Sequence, residues 1–141
     1  MDKEYTFVML KPDCIKRGLI GEVIGRIEKK GYRIKDAKMV TVDTSFLSKF
    51  YAHIKNRPFY GDVVKYMLSG AVLGMLVEGV DSVNGMRRLI GPTVIEDAHP
   101  GTIRGDFAAS SSNSLIHASE SSEDVKTECS IFFGDKLESH L

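Results

Sequence analysis

Apolar residues are spaced along this chain so as to set out alternating strands and helices. Tyr5-Thr-Phe-Val-Met-Leu10 is a run of β-forming residues ended by Lys11-Pro12, and reads as a buried strand. A turn carrying Gly18 and Gly21 follows. Ile20, Val23, Ile24 and Ile27 then recur at helical spacing until Gly31. Residues 33–42 favour a second strand, although polar and apolar positions alternate imperfectly. Asp43 or Thr44 caps a helix whose apolar face is Phe46, Leu47, Phe50, Tyr51 and Ile54, and Pro58 breaks it. A short helix carries Tyr60, Val63, Val64, Met67 and Leu68. Ala71 to Val77 is the second clearly buried strand, closed by Glu78-Gly79. Asp81 caps the next helix, with Val83, Met86, Leu89 and Ile90 inward and Gly91-Pro92 as its stop. A loop over 91–106 leads to a strand near 113–118. Ser121-Ser-Glu-Asp124 then opens a last helix with Val125, Cys129 and Phe132 on one face, and residues 134–141 read as a frayed tail. Four strands alternating with helices predict one sheet with helices on it, α/β or α+β. Periodicity leaves the strand order open.

Composition narrows the function classes. At 141 residues, residues 1–141 read as one domain with a single substantial core. Nineteen basic and nineteen acidic residues leave no overall field, which argues against nucleic acid or an anionic membrane as partner. A polyanionic substrate must therefore be met by a few placed cations. Cys14 and Cys129 form no metal-ligand cluster and fit buried packing residues in a reducing compartment. The amino-terminal residues lack the order of a signal peptide, and no apolar run is long enough to span a bilayer. The expected location is the cytoplasm.

Candidate chemistry gathers in 99–119. His99-Pro-Gly-Thr-Ile-Arg-Gly-Asp-Phe107 has the composition of a turn-rich loop, in which Gly101 and Gly105 bracket Arg104. His117 follows a short apolar run and precedes the small residues Ala118 and Ser119, which leave room for a substrate. Of the other histidines, His53 reads as a solvated helix residue, His99 as a loop residue and His140 as part of the tail. An imidazole with a pKa of about 6.5 is mostly neutral at pH 7 and attacks phosphorus without a separate base. Phosphoryl transfer then needs cations around the moving group, and Lys11, Arg87, Arg88 and Arg104 are the candidates. Phe59, after Pro58, is available either to stack on a base or to fill the core. Phosphate-loop, dinucleotide-fingerprint, nucleophile-elbow and zinc-protease motifs are all missing, so a nucleotide site here must be built in another way.

Lys11-Pro12-Asp13, Arg57-Pro58-Phe59-Tyr60, Pro100-Gly-Thr-Ile-Arg-Gly-Asp-Phe107 and Ile116-His117-Ala118-Ser119 occur in an order and spacing that resemble the nucleoside diphosphate kinase family. The similarity runs from about Tyr5 to Phe133. It implies a ferredoxin-like βαββαβ fold of class α+β, with a four-stranded antiparallel sheet and additional helices. It also implies a ping-pong reaction in which His117 takes the γ-phosphoryl of a nucleoside triphosphate and passes it to a nucleoside diphosphate. By position, Lys11, Tyr51, Arg87, Thr93 and Arg104 would line the phosphates and ribose edge, and Phe59 and Val63 would hold the base. Ser119 and Glu128 would orient the imidazole. The cofactor implied is Mg2+, carried by the nucleotide phosphates rather than by a protein ligand set. Stacking is open to every base, so little discrimination between bases is expected.

The chain departs from the family pattern in places. Ser114, with Asn113 before it, stands where an asparagine usually meets the ribose hydroxyl. Val94-Ile95 replaces a proline-containing pair, which should loosen that loop. Phe50 stands where many members have histidine, which should be harmless. The resemblance further implies a homo-oligomer, with a hexamer favoured over a tetramer. A nucleotide-binding, catalytically weak scaffold of the same fold is the alternative reading.

Overall fold

A computed structural model describes residues 3–134. In it β1 (Lys3–Leu10) is an interior strand, and Phe7, Val8, Met9 and Leu10 are all fully buried. Such an uninterrupted apolar run has a direct cause. Phe7 and Met9 point into one hydrophobic cluster and Val8 and Leu10 into another, so both faces of the sheet are covered. β1 lies between β3 (Val72–Val80) and β4 (Ile116–Ala118), with β2 (Arg33–Val40) outside β3. The order is β2-β3-β1-β4 and every neighbouring pair is antiparallel. With α2 (Ile20–Lys29) and α5 (Ser82–Ile90) as the two crossovers, this is the ferredoxin-like βαββαβ order.

The other helices are α1 (Pro12–Lys16), α3 (Thr44–Phe50), α4 (Tyr60–Met67), α6 (Ile103–Phe107) and α7 (Ser122–Phe133). Two expected caps form: Asp43 accepts from the Phe46 amide at 2.8 Å and Ser121 from the Asp124 amide at 3.2 Å. The imperfect alternation in β2 has its physical reason in a register shift between Ile34 and Asp36.

Several expectations need correction. The turn after Lys11 contains α1, a single helical turn begun by Pro12. The helix read through Ile54 ends at Phe50 and is followed by a separate 3-10 turn, Ala52–Ile54. β3 continues past Val77 to Val80. Asp81 does not cap α5. Its backbone is left-handed (φ 52°), and its carboxylate meets Asn84 and Arg88 instead. The free amide of Val83 is satisfied from another strand, by Glu4 Oε1 at 2.9 Å. β4 has three residues rather than six, because Leu115, at φ 71°, breaks the extended backbone. The reading of the tail beyond Gly134, with His140, lies outside the described residues.

Gly74 in β3 lets α7 approach the sheet, since a methyl group there would overlap the ring edge of Phe132. Gly74→Ala should therefore destabilise the fold by about 1–3 kcal/mol through overpacking, read as a lower urea midpoint at unchanged slope. An unchanged midpoint would show that α7 moves aside freely.

Candidate active site

The site is built where β1 and β4 meet the helices that follow them. Met9 pairs with His117 across the two strands, so the histidine and Lys11, two residues beyond Met9, are brought to the same end of the sheet. The Lys11 amide donates to the carbonyl of the left-handed Leu115 at 2.7 Å, which ties the two strand ends together.

His117 is half-buried against the rings of Phe7 and Phe50, with centroids 6.3 and 5.2 Å away. Its Nε2 lies 2.8 Å from Glu128 Oε1 on α7. The fully buried Ser119 donates its hydroxyl to that same oxygen at 2.6 Å. Two donors on one carboxylate oxygen fix it, and through it the imidazole. With Nε2 donating to a carboxylate, the free lone pair is on Nδ1.

Around this group lies a cleft of about 690 Å³. Lys11, Tyr51, Phe59, Val63, Arg87, Thr93, Arg104, Asn113 and Ser114 all line it, together with His117. Residues scattered from 11 to 117 in sequence thus share one surface, three of them cations. Phe59 is 48% exposed, so it is a wall of the cleft and not core. Burial, and then Glu128, push the Tyr51 hydroxyl well above its ordinary range, so it stays a neutral phenol. Ser119 and Glu128 form the contact chain to the imidazole. Arg88 lies outside the cleft, exposed and paired with Asp81 at 3.5 Å, and His99 lies outside it too.

Arg104 requires the largest correction. It is not in a loop, but sits in α6 at 4% exposure while still lining the cleft. Its guanidinium donates to three backbone carbonyls: Ile116 at 2.6 Å, Gly91 at 3.1 Å and Ser114 at 3.4 Å. The segments before β4 and after α5 are held together by this one side chain. Burial, and then Arg87, bring its pKa down to about 10, which leaves it charged at neutral pH. The glycines also act differently from expectation. Gly105 is inside α6, where any Cβ would collide with the His99 carbonyl. Thr102 closes the turn by donating to that carbonyl at 2.7 Å and accepting from the Gly105 amide at 2.9 Å. Asp106 pairs with Arg26 of α2 at 2.7 Å and fastens α6 to the body of the fold.

Ser114 is buried, and its hydroxyl accepts from Lys11 Nζ at 3.2 Å. Arg87 donates to the Ala118 carbonyl at 3.3 Å and reaches Glu120 at 3.7 Å. The loop that lacks proline is tied down by another route, as the Ile95 amide donates to Ser111 Oγ at 3.1 Å. Tyr66, Asp62, Glu120, Ser111 and Ser112 complete the lining and were missed. Tyr66 had a signal, since it falls seven residues after Phe59 and three after Val63, on the same helical face. Cys14 and Cys129 are buried free thiols; burial above all pushes them up to about 11 and about 12, so neither is a nucleophile at neutral pH. Among the described residues no group of three or more His, Cys, Asp or Glu could hold a metal ion. None of the described helices is long and apolar enough to cross a membrane.

Comparison with known proteins gives the arrangement a family. The model of the nucleoside diphosphate kinase family matches residues 4–137. The chain belongs to the nucleoside diphosphate kinase family. The nucleoside diphosphate kinase of Ignicoccus hospitalis is 49% identical over 132 residues, covering 94% of this chain and 90% of that protein. That of Sulfolobus acidocaldarius is 46% identical over 138 residues, 98% of this chain and 95% of that one. The apo crystal structure of the Encephalitozoon cuniculi nucleoside diphosphate kinase superposes with a TM-score of 0.92 at 40% identity, over 95% of this chain and 91% of that one. The Halobacterium salinarum nucleoside diphosphate kinase, solved in complex with CDP, gives 0.92 at 39% identity, over 96% and 90%. Membership of the nucleoside diphosphate kinase family makes this chain a nucleotide-binding phosphotransferase.

Proposed function

We propose that this chain moves the γ-phosphoryl group of a nucleoside triphosphate to a nucleoside diphosphate by a ping-pong route through His117. The observation that carries the reading is the Ser119–Glu128–His117 relay, which holds one ring nitrogen and leaves the other with its lone pair beside three cleft cations. Nδ1 attacks the γ-phosphorus; the N–P bond forms as the bond to the β–γ bridging oxygen breaks, and the diphosphate leaves with that electron pair. A terminal oxygen of the second diphosphate then attacks the phosphohistidine, and the N–P electrons return to Nδ1. Throughout, Glu128 accepts the Nε2 hydrogen and stabilises the positive charge that builds on the ring. Lys11, Arg87 and Arg104 offset the charge of the phosphates, and Thr93 and Tyr51 offer hydroxyls. Phe59 and Val63 form the base platform, and Asn113 and Ser114 face the sugar. The cleft carries two acidic residues, Asp62 and Glu120, among its cations. That composition fits a Mg2+ ion that arrives on the nucleotide phosphates and neutralises part of their charge there. The residues form one domain. The edge position of β2, whose own Met39 is exposed, supports a homo-oligomer. Buried free thiols support a reducing, cytoplasmic setting.

Incubation with γ-labelled ATP and magnesium, quenched in alkali, tests the reading. The expected product is labelled protein that is stable to alkali, lost in acid and chased by GDP. Protein that binds ADP but takes no label would leave only the scaffold reading.

Lys11 gives a pH prediction. Burial, and then Arg104, lower its ammonium from 10.5 to about 8, with Asp13 acting the other way. A lowered lysine pKa means that charge is lost as pH rises through the lowered value. The profile of kcat/KM reports the free enzyme, so it should fall tenfold per unit above about pH 8. A profile flat to pH 10 would remove Lys11 from phosphate binding.

A further inference from the structure

Asp13, in the first turn of α1, is not accounted for by any step above. The Tyr66 hydroxyl, from α4 across the cleft wall, donates to Asp13 Oδ1. The other carboxylate oxygen, Oδ2, is buried and has no hydrogen-bond partner among the described residues. A buried carboxylate oxygen left without a donor is costly unless a positive charge is close by. The cation of the cleft nearest in sequence is Lys11, the residue just before α1, and its Nζ lies 6.0 Å from the centroid of the Tyr66 ring. The ammonium donates to a neutral acceptor, Ser114 Oγ. The Arg104 guanidinium, bonded to three carbonyls, lines the same cleft and acts on Lys11 as a like charge. Two cations therefore share one cleft, and Arg104 is the one anchored by backbone carbonyls.

We propose that Asp13, gripped by the Tyr66 hydroxyl, is the positioning residue for Lys11: it supplies the fixed negative charge that holds this ammonium, protonated, in the cleft beside Arg104. The consequence rests on the phosphoryl-transfer reading, but the pairing itself does not. Asp13 touches no phosphate and acts only through Lys11. Its influence on that ammonium is attractive, opposing burial and Arg104. The charged or titratable groups facing Lys11 are Asp13 from α1, Tyr66 from α4 and Arg104 from α6; Tyr51, just after α3, Arg87 from α5 and His117 from β4 share the cleft. Asp62 and Glu120 also line the cleft, and Asp13 is the carboxylate whose charge acts on Lys11.

The test is the titration of Lys11 Nζ in lysine-labelled, ligand-free protein by NMR, with Lys11→Arg for assignment. In the unsubstituted protein the midpoint is expected at about 8. Asp13→Asn keeps an acceptor for Tyr66 but removes the charge, and should lower the midpoint by about one pH unit. The alkaline limb of kcat/KM should move by the same amount, which a merely structural residue would not cause. Asp13→Glu restores the charge and should bring the midpoint back toward that of the unsubstituted protein. A midpoint unmoved in Asp13→Asn overturns the proposal. Should that variant not fold, Asp13→Glu decides alone: a fall of a full unit despite the retained charge overturns it equally. Because the titration needs no turnover, it reports on the pairing whether or not the chain proves active.

Discussion

His117→Ala should lose on the order of 10⁴-fold or more in turnover while binding ADP within a few-fold of the unsubstituted protein. The asymmetry follows from what the imidazole touches. In the proposed reaction it forms the bond to phosphorus, so its loss removes the step itself. Asp62 and Glu120, the carboxylates that line the cleft, are poor candidates to take its place among cations that bind phosphate. The cations and the Phe59 wall proposed to carry affinity belong to other elements. Stability should fall by about 1 kcal/mol, since the ring is part-exposed and its loss costs Glu128 one of two donors. Steady-state kinetics and ADP calorimetry on the same preparation check both halves. Residual turnover within a hundredfold would show that another group is the nucleophile.

Arg104→Ala should unfold more readily by on the order of 3 kcal/mol, and lose turnover as well. Three carbonyls, those of Gly91, Ser114 and Ile116, depend on one buried guanidinium. Hydrogen bonds from a charged donor contribute about 1.5–3 kcal/mol each, and part of this returns when water enters the space. Arg104→Lys should rescue little, because an ammonium does not reproduce a planar fork spread over three acceptors. Urea unfolding with and without ADP measures the first effect and steady-state assay the second. If the alanine variant unfolds at the unsubstituted midpoint, the carbonyl contacts are incidental and Arg104 serves phosphate alone.

Arg104 also shows where sequence reasoning stops. Its importance was legible from the glycines around it; its partners were not, because main-chain carbonyls have no residue-type signature. The same holds for the start of α5, where Glu4 reaches over from β1 to satisfy the Val83 amide and Asp81, the local candidate, does not. Local caps such as Asp43 and Ser121 were readable since donor and acceptor lie three residues apart. The strands β1 and β3 were readable because burial on both faces leaves continuous apolar runs. α1 was not, since one helical turn has no period to detect. For the site, the residue types and the family resemblance named His117, Lys11, Arg87 and Phe59, which the fold gathers around one cleft. Tyr66 and its grip on Asp13 depend on α4 lying against α1, a relation fixed by tertiary packing.

The pairing of β1 with β4 has a consequence for how the molecule comes into being. Ser119 Oγ reaches the Phe7 carbonyl at 3.5 Å across 112 residues of chain, and Lys11 meets Ser114 across 103. Contacts of such separation close late, because the loop entropy must be met before they give any return. The β1–β3 ladder and the α2 and α5 crossovers need nothing beyond residue 90. A chain emerging from the ribosome can therefore form most of its sheet while β1 still has one edge open. The edge closes, and the cleft comes into existence, only when residues 114–119 arrive.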